Sequence, residues 1–186
     1  QVTAMVLSGL VNKRVVAALL DAGELAVGLS GEDGGLVRAL RRDGGRLGEV
    51  GEVAGVDPRP LRALLDGGML PVVSPVSRGP GGAPLNVNAD EAAIALAVGI
   101  TANRLLLVSD VQGVLVDGAP LSQITRAGAV ELLEREVVRD GMAVKVRQAL
   151  VAVRAGVEVR IGDGSLLLDG GAGTRVLPDG AEEAAS

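Results

Sequence analysis

The chain has 186 residues, 48% of them hydrophobic, and a formal net charge of −5, enough for one sizeable core and cramped for two independent ones. It contains neither Cys nor His, which excludes disulfides, thiolate metal sites, cysteine nucleophiles and the usual near-neutral proton shuttle. Any catalysis must then rest on charge, position and backbone dipoles, and phosphoryl transfer can run on those terms.

Phe, Tyr and Trp are absent as well. The core is therefore aliphatic, and single-stranded nucleic acid would find no stacking platform on a chain that is already acidic. A reduced alphabet, a sequence belonging to a longer protein, and chance are the three accounts of the missing aromatics, with chance ranked last. The most apolar stretch, Arg104 to Leu115, is cut by Ser109, Asp110 and Gly113, short of the roughly eighteen apolar residues of a membrane span. Gln1 to Leu10 lacks the pattern of a secretory leader. The expectation is a cytoplasmic protein with no nucleic-acid or membrane partner.

In chain order, Val2 to Ala22 has apolar residues near helical spacing and stops at Asp21-Ala22-Gly23. Leu25 to Leu29 is a short strand, Ser30 to Gly35 a glycine-rich turn, and Leu36 to Val53 holds two hairpin strands split by Asp43-Gly44-Gly45. Asp57-Pro58 reads as an N-cap with proline at the first helical position, giving a helix from Pro58 to Leu65. Met69 to Ser74 is a strand, Arg78 to Pro84 a loop, Ala89 to about Ala102 a helix capped by Asn88 or Asp90, and Arg104 to Val108 a strand. Turns at Gln112-Gly113 and Asp117-Gly118 flank a short strand at Val114 to Val116. Helices over Arg126 to Glu136 and Lys145 to Ala155, with strands Val157 to Ile161 and Thr174 to Leu177, complete the pattern. Strands alternating with helices predict an α/β fold, a mostly parallel sheet covered on both faces. Residues 1–178 read as one domain and Asp179 to Ser186 as a disordered acidic tail. No internal repeat is evident.

Three places could carry chemistry. Asn86-Val87-Asn88-Ala89-Asp90 lies where a loop enters a helix, so amides, a carboxylate and backbone N–H groups converge on a position suited to an anion; simple capping by Asn88 or Asp90 reads equally well. Ser109-Asp110 sits at the carboxyl end of a buried strand, the edge where parallel α/β sheets bind ligands, although a strand-to-turn junction needs no ligand. Lys145 is one of only two lysines, with Lys13, against 16 arginines. At the start of a helix it would oppose the macrodipole unless an anion were present; a solvated surface lysine is the plain alternative for both. Gly31 to Gly35 has no Lys-Ser or Lys-Thr partner and is no Walker loop.

Taken in order, Ala26 to Gly31, Pro71 to Pro75, Asn86 to Ala93, Ser109 to Leu115, Gly141-Met142 with Lys145-Val146, and Gly173-Thr174-Arg175 resemble the amino-acid kinase family, and within it the acetylglutamate kinases. The resemblance runs from about Met5 to Leu177. It implies a three-layer carbamate kinase-like fold and ATP-dependent phosphorylation of the side-chain carboxylate of N-acetyl-L-glutamate in arginine biosynthesis. Asn86 would bind acetylglutamate, Asp90 would orient catalytic lysines, and Lys145 would stabilise the transferring phosphoryl group. Asp110, Val111, Gln112, Gly113, Val114 and Leu115, with Val137, Val138 and Arg139, would line the nucleotide site. Magnesium would arrive with ATP rather than at a protein metal site, and a homo-oligomer is expected. Family members begin with a strand bearing Lys-x-Gly-Gly, a glycine-rich loop and a substrate-binding arginine. The resemblance places these ahead of the first helix, so the 186 residues alone are expected to be a poor catalyst. A non-catalytic nucleotide-binding scaffold and a related carboxylate kinase, such as an aminoadipate-type enzyme, are the other readings.

Overall fold

The computed structural model describes residues 2–168 and 171–179. Two compact units emerge, Gln1–Ile100 and Thr101–Ser186, and each is taken by itself.

The first unit opens with a helix that runs through α1 (Val2–Ala4), a stretch with i→i+5 bonding (Met5–Val11) and α2 (Asn12–Asp21). Over Val2–Asp21 this helix is, by length and composition, apolar enough to cross a membrane, which corrects the sequence reading that no such run exists. Its contacts are those of a sheet-covering helix. Asn12 is buried, and its Nδ2 donates to Leu29 O at 3.2 Å and Val72 O at 2.8 Å. These carbonyls belong to β1 (Ala26–Ser30) and β4 (Leu70–Ser74), which pair in parallel from Ala26↔Leu70 to Ser30↔Ser74. Lys13 Nζ donates to Gly28 O at 3.2 Å, so this lysine serves the same attachment. Gly28 has to be glycine, because a Cβ there would fall 2.1 Å from Asn12 Oδ1.

A second sheet has the order β3-β2-β5-β6, from β2 (Val37–Arg41), β3 (Gly51–Val56), β5 (Val76–Arg78) and β6 (Pro84–Asn86). The β2/β3 hairpin lies where the glycine signals place it. The segment expected to be a loop, Arg78 to Pro84, is instead the tip of the antiparallel β5/β6 hairpin. Its Pro and Gly residues sit in the turn, and three-residue strands carry too few side chains to show an alternation. Helix α3 (Arg59–Asp66) starts one residue later than expected: Pro58 is its N-cap, and Asp57 Oδ1 accepts from Arg59 N at 3.1 Å. Leu36, Val37 and Leu61 form the centre of the core with Leu29, Val53, Val73 and Leu96 packed around them. Each such side chain contributes about 1.5–3 kcal/mol on burial.

In the second unit the sheet order is β10-β12-β11-β7, from β7 (Arg104–Val108), β10 (Gln123–Thr125), β11 (Glu158–Gly162) and β12 (Thr174–Leu177). The β7/β11 and β10/β12 pairs are parallel and β11/β12 is antiparallel. A small ribbon pairs β8 (Leu115–Val116), which lies within the strand expected at Val114 to Val116, with β9 (Ala119–Pro120); β9 and β10 are too short to be read from sequence. Helices α4 (Ala89–Gly99) in the first unit and α5 (Arg126–Glu134) and α6 (Asp140–Arg154) in the second complete the α/β arrangement. Val146, Val159, Ile161 and Val176 are almost fully enclosed. Asp179 accepts from Arg126 Nε at 2.6 Å and Ala127 N at 2.9 Å, which ties the first residue of the expected tail; the rest of that tail lies outside the described residues.

Candidate functional site

In the first unit the junction of β6 and α4 holds Asn86, Asn88 and Asp90. Asn88 is the cap: its backbone is extended and its Oδ1 accepts from Asp90 N at 3.0 Å and Glu91 N at 3.1 Å. Two of the backbone donors expected to be available to an anion, Asp90 N–H and Glu91 N–H, are thus already used, and Asp90 is not the cap. Its carboxylate lies half-buried in the first turn, where negative charge complements the helix dipole. Asn86 is half-buried, its N–H donates to Glu49 O at 2.8 Å, and it borders a cavity of about 180 Å³ with Thr3, Glu49, Val50 and Val76.

Glu91 is the residue that sequence reasoning passed over. Its Oε1 accepts from Val53 N at 2.6 Å and its Oε2 from Arg42 at 2.8 Å, so it pins the start of α4 to β3. The Asn88-x-x-Glu91 spacing of a capping box was the available signal, but Glu91 reaches across to the neighbouring strand instead of back to the cap.

The glycine-rich turn after β1 is closed on itself. Asp33 Oδ2 accepts from Ser30 N at 2.7 Å and Ser30 Oγ at 3.0 Å, while Gly31 N donates to Ser74 O and Val37 N to Gly31 O. With those N–H groups used internally, the turn is not a ready phosphate cradle, in line with its missing Walker lysine.

In the second unit, Asp110 to Leu115 follows β7. Ser109 N donates to Gly162 O at 2.7 Å and Ser109 Oγ to Asp110 Oδ1 at 3.1 Å. Asp110 and Gln112 are exposed, whereas Gly113 and Val114 are buried. Val137, Val138 and Arg139 form the link into α6; Val138 is buried, and Arg139 Nε donates to Glu136 O at 2.6 Å. Lys145 does not begin a helix, as its sequence context implied. The helix α6 starts at Asp140, so Lys145 lies in its second turn, half-buried. Gly141 and Met142, expected to precede the helix, lie in its first turn. In the second turn Lys145 is no longer at the helix start, so the macrodipole gives no reason for an anion beside it.

The second unit also holds a concentrated ion cluster at Glu158, with Arg104 at 3.2 Å, Arg160 at 3.3 Å and Arg175 at 3.2 Å. Burial raises the Glu158 pKa, but the Arg160 hydrogen bond and the charges of Arg175, Arg104 and Arg160 outweigh it and hold the carboxyl below its ordinary value.

The structure therefore keeps Asn86 close in sequence and space to the Asn88 cap that orders Asp90, and it places the Asp110 to Leu115 loop, the Val137 to Arg139 link and Lys145 in the second unit. The amino acid kinase family model matches residues 1–163. The chain belongs to the amino acid kinase family. An acetylglutamate kinase of Rubrobacter xylanophilus is 43% identical over 97% of this chain and 73% of its own length. Among solved structures, smu.665 from Streptococcus mutans superposes with a TM-score of 0.84 at 32% identity, over 94% of this chain and 69% of that one. The carbamate kinase of Giardia lamblia, in a structure bound to AMP-PNP, has a TM-score of 0.60 at 21% identity, over 70% of this chain and 47% of that one; this likeness bears on fold alone. The curated acetylglutamate kinases that the chain matches are longer proteins, of which it spans 55% to 73%.

Proposed function

We propose that the chain is an acetylglutamate kinase-like phosphotransferase that moves the γ-phosphoryl group of ATP to the side-chain carboxylate of N-acetyl-L-glutamate. The observation that carries this reading is the 43% identity to an acetylglutamate kinase along 97% of the chain, which takes in the Asn86 to Asp90, Asp110 to Leu115 and Lys145 segments.

Each residue has a chemical task on this reading. The Lys145 ammonium offsets negative charge on the phosphoryl group in flight, where a preorganised cation acts mainly on the transition state. Asp90 orients cationic side chains at the site. The amide of Asn86 hydrogen-bonds the acylamino acid, and the Asp110 to Leu115 and Val137 to Arg139 segments hold the nucleotide. Mg²⁺ comes with ATP, held mainly by phosphate oxygens and water. A homo-oligomer in the cytoplasm belongs to the same proposal.

The test is acetylglutamate-dependent ADP release, measured on the chain and on the chain extended at its amino terminus to the length of its relatives. Lys145→Ala is expected to lower turnover by about a hundredfold or more. ATP-dependent thermal stabilisation without turnover in the extended protein would overturn the catalytic reading in favour of a nucleotide-binding scaffold.

A further inference from the structure

We infer that Thr174 is a positioning residue for the nucleotide loop Asp110 to Leu115, acting through a hydrogen-bond circuit that it closes from the neighbouring strand. This inference rests on the proposed nucleotide role of that loop.

Thr174 has no exposed surface, yet it carries a hydroxyl on β12, sixty residues away from the loop. Its Oγ1 accepts from Val114 N at 2.8 Å and donates to Leu121 O at 2.6 Å. Leu121 N in turn donates to Val114 O at 2.9 Å. One hydroxyl therefore satisfies the Val114 N–H on the loop and the Leu121 C=O on the following turn, two residues whose remaining backbone groups, Leu121 N–H and Val114 C=O, bond to each other. Gly113 shows how close this approach is: a Cβ there would lie 2.5 Å from Thr174 Oγ1 and 3.3 Å from its N. The other end of the loop is held by the backbone of β11, through the bond from Ser109 N to Gly162 O at 2.7 Å; a Cβ on Gly162 would lie 3.2 Å from Gln112 O. The loop is thus clamped at both ends, with Asp110 and Gln112 exposed between them.

Buried backbone groups that lose their partners cost the fold and release whatever they were holding. Thr174→Val keeps the β-branched shape but removes both bonds, leaving Val114 N–H and Leu121 C=O unpaired. Thr174→Ser keeps the hydroxyl. Gly113→Ala leaves Thr174 in place and pushes a methyl group onto its oxygen. Val159→Ala opens a cavity in the same sheet without touching the circuit.

The experiment measures the dissociation constant of Mg·ATP by calorimetry on the full chain, well below each variant's melting temperature, with hydrogen exchange at the Val114 amide followed alongside. Thr174→Val and Gly113→Ala are expected to bind about tenfold or more weakly with faster Val114 exchange, Thr174→Ser to stay within about threefold of the parent, and Val159→Ala to bind normally despite a lower melting temperature. Normal binding by Thr174→Val, or by Gly113→Ala if the valine variant does not fold, overturns the positioning role and leaves the nucleotide assignment intact. Equal weakening in Val159→Ala makes the effect one of general stability and also overturns it. A parent chain that binds no Mg·ATP overturns the nucleotide assignment and the inference together.

Discussion

Removing the Glu91 carboxylate is expected to loosen the β6–α4 junction measurably. Glu91 is only 16% exposed in its side chain and accepts two hydrogen bonds, from Val53 N at 2.6 Å and Arg42 at 2.8 Å. A bond to a charged acceptor contributes about 1.5–3 kcal/mol. The Arg42 side chain is 40% exposed, so that half of the interaction is screened and worth about 0–1 kcal/mol. Glu91→Ala leaves Val53 N–H without its partner and is expected to cost about 2–3 kcal/mol. Glu91→Gln retains a neutral acceptor and is expected to cost about 1–2 kcal/mol. Urea unfolding followed by far-ultraviolet circular dichroism is the suitable assay, because the chain has no aromatic residue to report by fluorescence. A loss under about 0.5 kcal/mol for Glu91→Ala, or an equal loss for both variants, would refute the claim that this carboxylate anchors the helix.

Two further changes test the helix cap and an exposed ion pair. Asn88→Ala removes the acceptor for Asp90 N and Glu91 N and is expected to cost about 1 kcal/mol in the same assay, whereas Asn88→Asp should hold within a few tenths. The hydrogen bond from the Arg59 side chain lowers the Asp57 pKa to about 2 from its usual 3.8. A depressed carboxylate stabilises the fold above its unfolded pKa, and that contribution disappears as pH falls from about 4 towards 2. The urea midpoint of the parent is therefore expected to drop more steeply over that window than that of Asp57→Asn, and parallel curves would contradict the assignment.

What the sequence could show follows from how each feature is encoded. Helices such as α4 and α6 are long enough for apolar periodicity to emerge, and the Asp43-Gly44-Gly45 turn marks its hairpin through residues that tolerate positive φ, as all three do. Strands of two or three residues such as β5, β6, β9 and β10 fall below the length at which alternation can be recognised, and β8 is legible only through the turns that flank it. Lys145 is expected to open its helix, although that helix begins before Gly141, at Asp140. The most apolar stretch was sought at Arg104 to Leu115 rather than in the Val2–Asp21 helix, whose Asn12 and Lys13 fasten it to the β1/β4 pair. At the site, Asn86, Asp90 and Lys145 stand out by residue type and by family motif. Glu91 and Thr174 act through partners 38 and 60 residues away, and no local pattern encodes such pairings.

On the proposed reading, the side-chain carboxylate of acetylglutamate accepts the phosphoryl group with the help of Lys145. An acyl phosphate is captured by hydroxylamine, so hydroxamate formation from ATP, Mg²⁺ and N-acetyl-L-glutamate reads the product itself. The amino-terminally extended chain is expected to form hydroxamate only when acetylglutamate is supplied, and its Lys145→Ala variant to form about a hundredfold less. Hydroxamate formed equally well by the variant would contradict the role of Lys145, and none formed by the extended parent would contradict the proposed reaction.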